Sequence, residues 1–244
     1  MTRFAEPEVI ACPRCESLLL RQRLASFNNF GSVYWSDGFA SFLGVSPVAA
    51  LGCCGICEGL FWFDDVARLG VMPREPISLR WPGWKRCLAG LMSNRLIDSE
   101  AAWKAVPDAW HSAPYVESPR GRELWWALER GLASTQEREI YVRTRLWWAG
   151  NHPRRGSRAE QPMSDEQVGQ NMAALLVLLR AQPDEKRDAV VEGELLRELG
   201  RFDQAITVLQ DSAARGSDRA AIIVERAREG KTDVCVVERN DFSF

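Results

Sequence analysis

The feature that most constrains this chain is a pair of short cysteine hooks, Cys12-Pro13-Arg14-Cys15 and Cys54-Gly55-Ile56-Cys57. Two residues between cysteines let one tight turn aim both sulfurs at a single point. Nearby backbone N–H groups can then donate to the thiolates and offset their charge. Two hooks supply four thiolates, the number a closed, tetrahedral structural Zn²⁺ site takes. The spacing therefore predicts a metal site on Cys12, Cys15, Cys54 and Cys57. Cys53 stands next to Cys54 and could replace it, with one extra residue in the turn. A four-sulfur site suits iron as well as zinc. Cys87 and Cys235 are isolated, and small buried apolar roles are expected for them.

The cysteines are expected to be reduced. The N-terminus lacks a basic segment followed by an apolar one, so no export signal is expected, and thiols in a reducing compartment bind metal more readily than they form disulfides. A cytoplasmic location follows as an expectation. No apolar run approaches the roughly 20 residues of a membrane span. The formal net charge of −2 over 244 residues argues against general polyanion binding. The 46% hydrophobic and 26% charged content is that of a globular chain able to bury a core.

Around the hooks the sequence is extended. Pro7–Ala11 leads into the first and Ser17–Leu24 leads out. Ser32–Trp35 is a further β-rich run, and Gly59–Phe63 follows the second hook. The gap of 38 residues between Cys15 and Cys54 is long, and residues 39–50 are expected to be an inserted loop. Strand, knuckle, strand, insertion, knuckle, strand resembles the zinc-ribbon and rubredoxin-like group over about the first quarter of the chain. In that group the ligand positions correspond to Cys12, Cys15, Cys54 and Cys57. Its knuckles often carry Gly after the second Cys; here Glu16 and Glu58 stand there, so a positive φ would be costly. Metal binding would be coupled to folding in so small a β unit.

Between residues 64 and 117 the order loosens. Asp64-Asp65 is read as the cap of a short helix over 66–69, stopped by Gly70. Pro73, Pro76, Pro82 and Gly83 break regular structure. Helices are expected over 87–96 and 99–105. Trp81, Trp84, Trp103 and Trp110 are expected to pack between the β unit and the helices, the sharper reading being an aromatic ligand groove.

From residue 118 the pattern is helical. Ser118-Pro119 is a good helix start. Ser134 with Glu137, and Ser164 with Gln167, spell capping boxes. Leu124, Trp125, Leu128 and Leu132 form one apolar face, and Val168, Met172, Leu175, Leu176 and Leu179 another. Asn151-His152-Pro153 ends a helix, Pro183-Asp184 opens one running to Leu199, and Ser217 caps the last. Val234–Val237 is expected as a short closing strand. Gly193, Leu196, Gly200, Phe202, Ala205 and Leu209 are similar to one tetratricopeptide repeat, a family in which glycine lets two helices pack closely. No second copy follows at a period of 34 residues, so neighbouring helices would have to complete the stack.

The expected fold class is α+β: a small antiparallel zinc-ribbon-like domain over 1–70, an irregular connection over 71–117, and a helical hairpin stack over 118–244. No nucleophile elbow, phosphate loop or dinucleotide fingerprint is present. His111 and His152 are expected at the surface or at helix ends, and Arg154, Arg155 and Arg158 in a solvated loop. No catalytic and no cofactor-binding residue is assigned. The expectation is a non-catalytic zinc-binding protein that serves as a protein–protein interaction module. One alternative is nucleic-acid binding through the β unit. It is disfavoured because residues 1–63 hold four basic side chains (Arg3, Arg14, Arg21, Arg23) against five acidic ones (Glu6, Glu8, Glu16, Asp37, Glu58). The other is a rubredoxin-like iron electron carrier.

Overall fold

The computed structural model describes residues 2–42, 49–85, 94–156 and 163–240. Strands come first: β1 (Arg3–Phe4), β2 (Glu8–Ala11), β3 (Leu18–Arg21), β4 (Leu24–Ser26), β5 (Val33–Trp35), β6 (Ala40–Ser41), β7 (Leu51–Cys53), β8 (Leu60–Trp62) and β9 (Arg68–Val71). Helices follow: α1 (Asn94–Ala105), α2 (Asp108–His111), α3 (Gly121–Glu129), α4 (Gln136–Asn151), α5 (Asp165–Arg180), α6 (Ala189–Glu198), α7 (Phe202–Ala214) and α8 (Asp218–Arg228). A last strand, β10 (Val236–Arg239), ends the described chain. The protein is α+β, and no helix among the described residues is long and apolar enough to cross a membrane.

Two compact units form, and the chain passes between them more than once. One comprises Met1–Asn28 and Pro47–Pro119; the other comprises Asn29–Ser46 and Arg120–Phe244. The stretch expected to be a connection, 71–117, thus counts with the cysteine-bearing unit. Of the stretch expected to be a loop inside that unit, 39–46 counts with the helices and 47–50 with the cysteine-bearing unit.

In the cysteine-bearing unit β2 is the middle strand, antiparallel to β3 (Val9↔Leu20, Ile10↔Leu19) and to β9 (Glu8↔Val71). Successive strand residues face opposite ways, and β2 uses both faces. Ile10 joins Leu19 and Phe61 in one buried cluster. Val9 joins Leu20 and Met72 in another, which Trp103 and Trp110 also enter. Two of the four scattered tryptophans therefore pack, partly buried, against the core of this unit, whereas Trp84 is exposed. A Cβ on Gly70 would stand 2.4 Å from the Trp110 ring, so glycine is required there for contact.

The helix expected over 66–69 is absent. Residues Phe63–Asp65 make a single 3₁₀ turn with no side-chain cap, and Arg68–Val71 is strand β9. One helical turn secures few hydrogen bonds for the dihedrals it fixes; pairing along β2 satisfies the same backbone in a ladder. The helix expected over 87–96 falls largely outside the described residues, as does Cys87. The one expected over 99–105 is the second half of α1.

In the helical unit, caps place most helix starts. Ser164 accepts from the Gln167 N–H at 3.2 Å and Gln167 answers at 2.9 Å, and Ser217 caps α8. Three starts differ from expectation. Thr135, not Ser134, caps α4. The chain enters α3 at Gly121, with Glu123 accepting from the Arg120 N–H at 2.9 Å. Asp188 caps α6 by accepting from Val190 and Val191, so Pro183-Asp184 opens only a 3₁₀ turn. Leu146, Trp147, Leu175, Leu195, Leu196, Leu209 and Ile223 are fully buried. Helices α6 and α7 approach so closely that a Cβ on Gly193 would lie 2.3 Å from Leu209 Cγ. The stretch expected as a loop over 39–50 begins with strand β6; residues 43–48 lie outside the described chain. β5 pairs with β6 on one side (Val33↔Ser41) and with β10 on the other (Val236↔Trp35).

Candidate metal centre and a buried ionic centre

Each cysteine hook sits at the tip of an antiparallel hairpin, the first between β2 and β3 and the second between β7 and β8. The two tips are built alike. In the first, the Cys12 N–H donates to the Ser17 carbonyl at 2.9 Å and the Glu16 N–H to the Cys12 carbonyl at 2.9 Å. In the second, the Cys54 N–H donates to the Gly59 carbonyl at 2.9 Å and the Glu58 N–H to the Cys54 carbonyl at 2.8 Å. Among the described residues, Glu16 (φ 58°) and Glu58 (φ 55°) are the non-glycine residues with positive φ. Both therefore hold the left-handed conformation for which glycine is cheapest.

The four sulfurs of Cys12, Cys15, Cys54 and Cys57 all lie within 4.8 Å of one another and could hold a metal ion. Across the two hooks, Cys12 Sγ is 3.7 Å from Cys57 Sγ and Cys15 Sγ is 3.8 Å from Cys54 Sγ. A regular tetrahedron with metal–sulfur bonds of about 2.3 Å places its sulfurs about 3.8 Å apart. A disulfide would need about 2.05 Å. The sulfurs therefore fit around one ion and are not bonded to each other. Cys54, rather than Cys53, joins the cluster. Cys53 instead ends β7, where its backbone exchanges hydrogen bonds with Glu117 at 2.9 and 3.0 Å.

The electrostatics show why a cation belongs here. Burial pushes the Cys57 thiol up to about 12 and raises Cys12 as well. The Ser17 hydroxyl, then the Ser17 backbone amide, bring Cys15 down to about 6. A dication bound here would supply the missing charge and deprotonate its ligands. Support comes from the 114–117 segment, which carries no motif that would connect it with the site. Leu20 donates to the Pro114 carbonyl at 2.8 Å and accepts from Val116 at 2.9 Å, while Glu117 pairs with Cys53. One extended segment thus ties the first hairpin to the second.

The helical unit holds a second polar concentration, which no sequence motif announced. Asp37, Asn151, Glu194, Arg197 and Glu198 are buried, and the Arg155 side chain is only 4% exposed. Arg155 pairs with Asp37 and donates to the Trp148 carbonyl at 2.8 Å. Its guanidinium also lies 4.4 Å from the centre of the Phe39 ring. The expected solvated loop is therefore wrong for Arg155. Arg154 is partly exposed and lies 3.8 Å from Asp233, and Arg158 falls outside the described residues. His152 caps α4 and packs on Phe39 at 5.2 Å, and His111 packs on Trp103 at 4.4 Å. Cys235 is half-buried rather than buried; its N–H donates to Ser36 Oγ at 3.0 Å. Periodicity could not reveal this centre. Every residue from Glu192 to Glu198 is buried, so α6 has no polar face to mark.

Comparisons with protein-family models, curated proteins and solved structures found no match. The fold and the four-sulfur cluster stand on geometry alone.

Proposed function

We propose that this is a non-catalytic zinc-binding protein whose helical unit serves as a protein-interaction module. The observation that carries the zinc reading is the match between two hairpin tips with the same hydrogen bonds, and sulfurs at 3.7 and 3.8 Å across them. With four protein ligands the ion has no open position for water, so its role is structural. The zinc-ribbon resemblance of the two hooks supports the same reading. The interaction role rests on the α6–α7 pair, whose Gly193–Leu209 contact is what the tetratricopeptide resemblance requires. Helical hairpin stacks bind partners through extended surfaces.

Metal analysis of the purified protein tests the first part: one zinc per chain is expected, lost in a Cys54→Ser, Cys57→Ser double variant. A red, iron-loaded protein would turn the reading to electron transfer. The second part is tested by affinity purification with variants of the solvent-facing residues Asp203, Gln204 and Thr207 on α7. A specific partner retained by the wild type and lost by those variants is expected.

A second reading, nucleic-acid binding, is favoured by one cluster. Arg21, Arg23 and Arg68 converge on the single carboxylate of Glu8, at 3.6, 3.4 and 3.5 Å. Salt-sensitive retardation of RNA or DNA, abolished by substituting these arginines, would establish it.

A further inference from the structure

At the ionic centre of the helical unit, acid outnumbers base. Three buried carboxylates, Asp37, Glu194 and Glu198, meet two buried guanidiniums, Arg155 and Arg197. Arg197 is committed to Glu194, with bonds of 2.6 and 2.7 Å, and to the Lys231 carbonyl. Arg155 is committed to Asp37. Among the described residues Glu198 is bonded by neutral donors alone: Trp147 Nε1 at 3.0 Å and Asn151 Nδ2 at 3.0 and 3.3 Å. The same Asn151 nitrogen donates to Asp37 Oδ2 at 3.0 Å, so one amide stands between two carboxyl groups.

No cationic side chain is bonded to Glu198 among the described residues, and the nearby cations are engaged elsewhere. His152 Nδ1 lies 3.0 Å from Arg155 Nη1. Burial, then the charges of Arg155 and Arg145, hold that imidazole below its usual range. Arg154 donates to the Asn151 side-chain Oδ1 at 3.3 Å and lies 3.8 Å from Asp233. From α8, Arg219 donates to the Ser36 carbonyl at 2.9 Å. Glu192 of α6 is paired with Arg180 and Arg187. The half-buried Cys235 thiol adds no positive charge.

We propose that Glu198 keeps a proton in the folded helical unit, which makes Asp37, Asn151, Arg155 and Glu198 a pH-responsive clasp for the turn between β5 and β6. With Glu198 neutral, three acids and two bases balance. With Glu198 ionised, one unmatched negative charge stands beside Asp37 in a dry interior, where like charges repel strongly. Asp37 is the anchor of that turn: its Oδ1 accepts from the Phe39 N–H at 3.1 Å, and its carbonyl accepts from Trp148 Nε1 at 3.0 Å. Burial, then the charges of Glu194 and Asp37, push the Glu198 carboxyl up to about 8, and burial raises Asp37 as well. A carboxyl raised on folding stabilises fully below its ordinary range. That contribution is lost as pH rises toward the folded value and levels off above it. The clasp is tight in mild acid and loosens toward pH 8.

Hydrogen exchange of the metal-loaded full-length protein tests this, read on the amides of residues 32–42 and corrected for the intrinsic rate. Protection is expected to fall by up to about tenfold per pH unit between pH 6 and 8, then to level off. Glu198→Gln should flatten the profile at high protection. Equal wild-type protection at pH 6 and 8 overturns the proposal, as does a Glu198→Gln protein with the wild-type slope. If Glu198→Gln does not fold, the wild-type profile at residues 32–42 decides: a fall in protection between pH 6 and 8 supports the clasp, and a flat profile overturns it.

Discussion

The two units concentrate polarity in opposite ways. The cysteine-bearing unit gathers four sulfurs with no cationic side chain bonded to any of them in the described structure, an arrangement that could take its counter-charge from a metal ion. The helical unit assembles three carboxylates with two guanidiniums of its own. A centre that lacks its cation should depend on metal for existence. One that carries its own should tolerate metal loss and respond instead to the removal of a partner.

That contrast breaks most visibly under chelation. Stripping the metal should unfold the cysteine-bearing unit, since binding energy on the order of 10 kcal/mol is folding energy in small structural sites. The α-helical circular dichroism of the other unit should survive largely intact. Concerted loss of both would mean the units do not stand apart. Next in size, Asp37→Ala leaves Arg155 buried without its acid and should cost about 3–5 kcal/mol. The loss should be seen as a lower urea midpoint for the helical unit, with metal content unchanged. Gly193→Val drives a side chain into Leu209 and should cost about 1–3 kcal/mol from overpacking, again in the helical unit alone. The smallest effect should be a gain. Glu58→Gly relieves one left-handed glutamate, worth about 1 kcal/mol, and should raise the chelator concentration needed for unfolding.

Much of this was legible from the chain, in proportion to how local the physics is. Hooks of two cysteines, a serine three residues before a glutamine, and the glutamates at the knuckle turns all act within a few residues of sequence. The sulfur cluster, the Ser164 cap and the positive φ at Glu16 and Glu58 match those readings. Where a neighbouring residue offered the same chemistry, as Thr135 does beside Ser134, the start moved by one. Long-range pairing was not legible. Arg68–Val71 looks like a helical turn until β2 is laid beside it. Arg155 looks solvated until Asp37, 118 positions away, comes to meet it. The 114–117 segment carries no motif at all, because its contribution is backbone hydrogen bonding, which any sequence can make.

The pairing of β5 with β10 sets an order of events during synthesis. Ser36 and Cys235 are 199 positions apart. At about 5–20 residues per second, a ribosome needs roughly 10–40 s to deliver the second after the first. Throughout that interval the β5 edge has no partner from its own chain, and nascent protein is exposed to whatever in the cell will pair with an open strand.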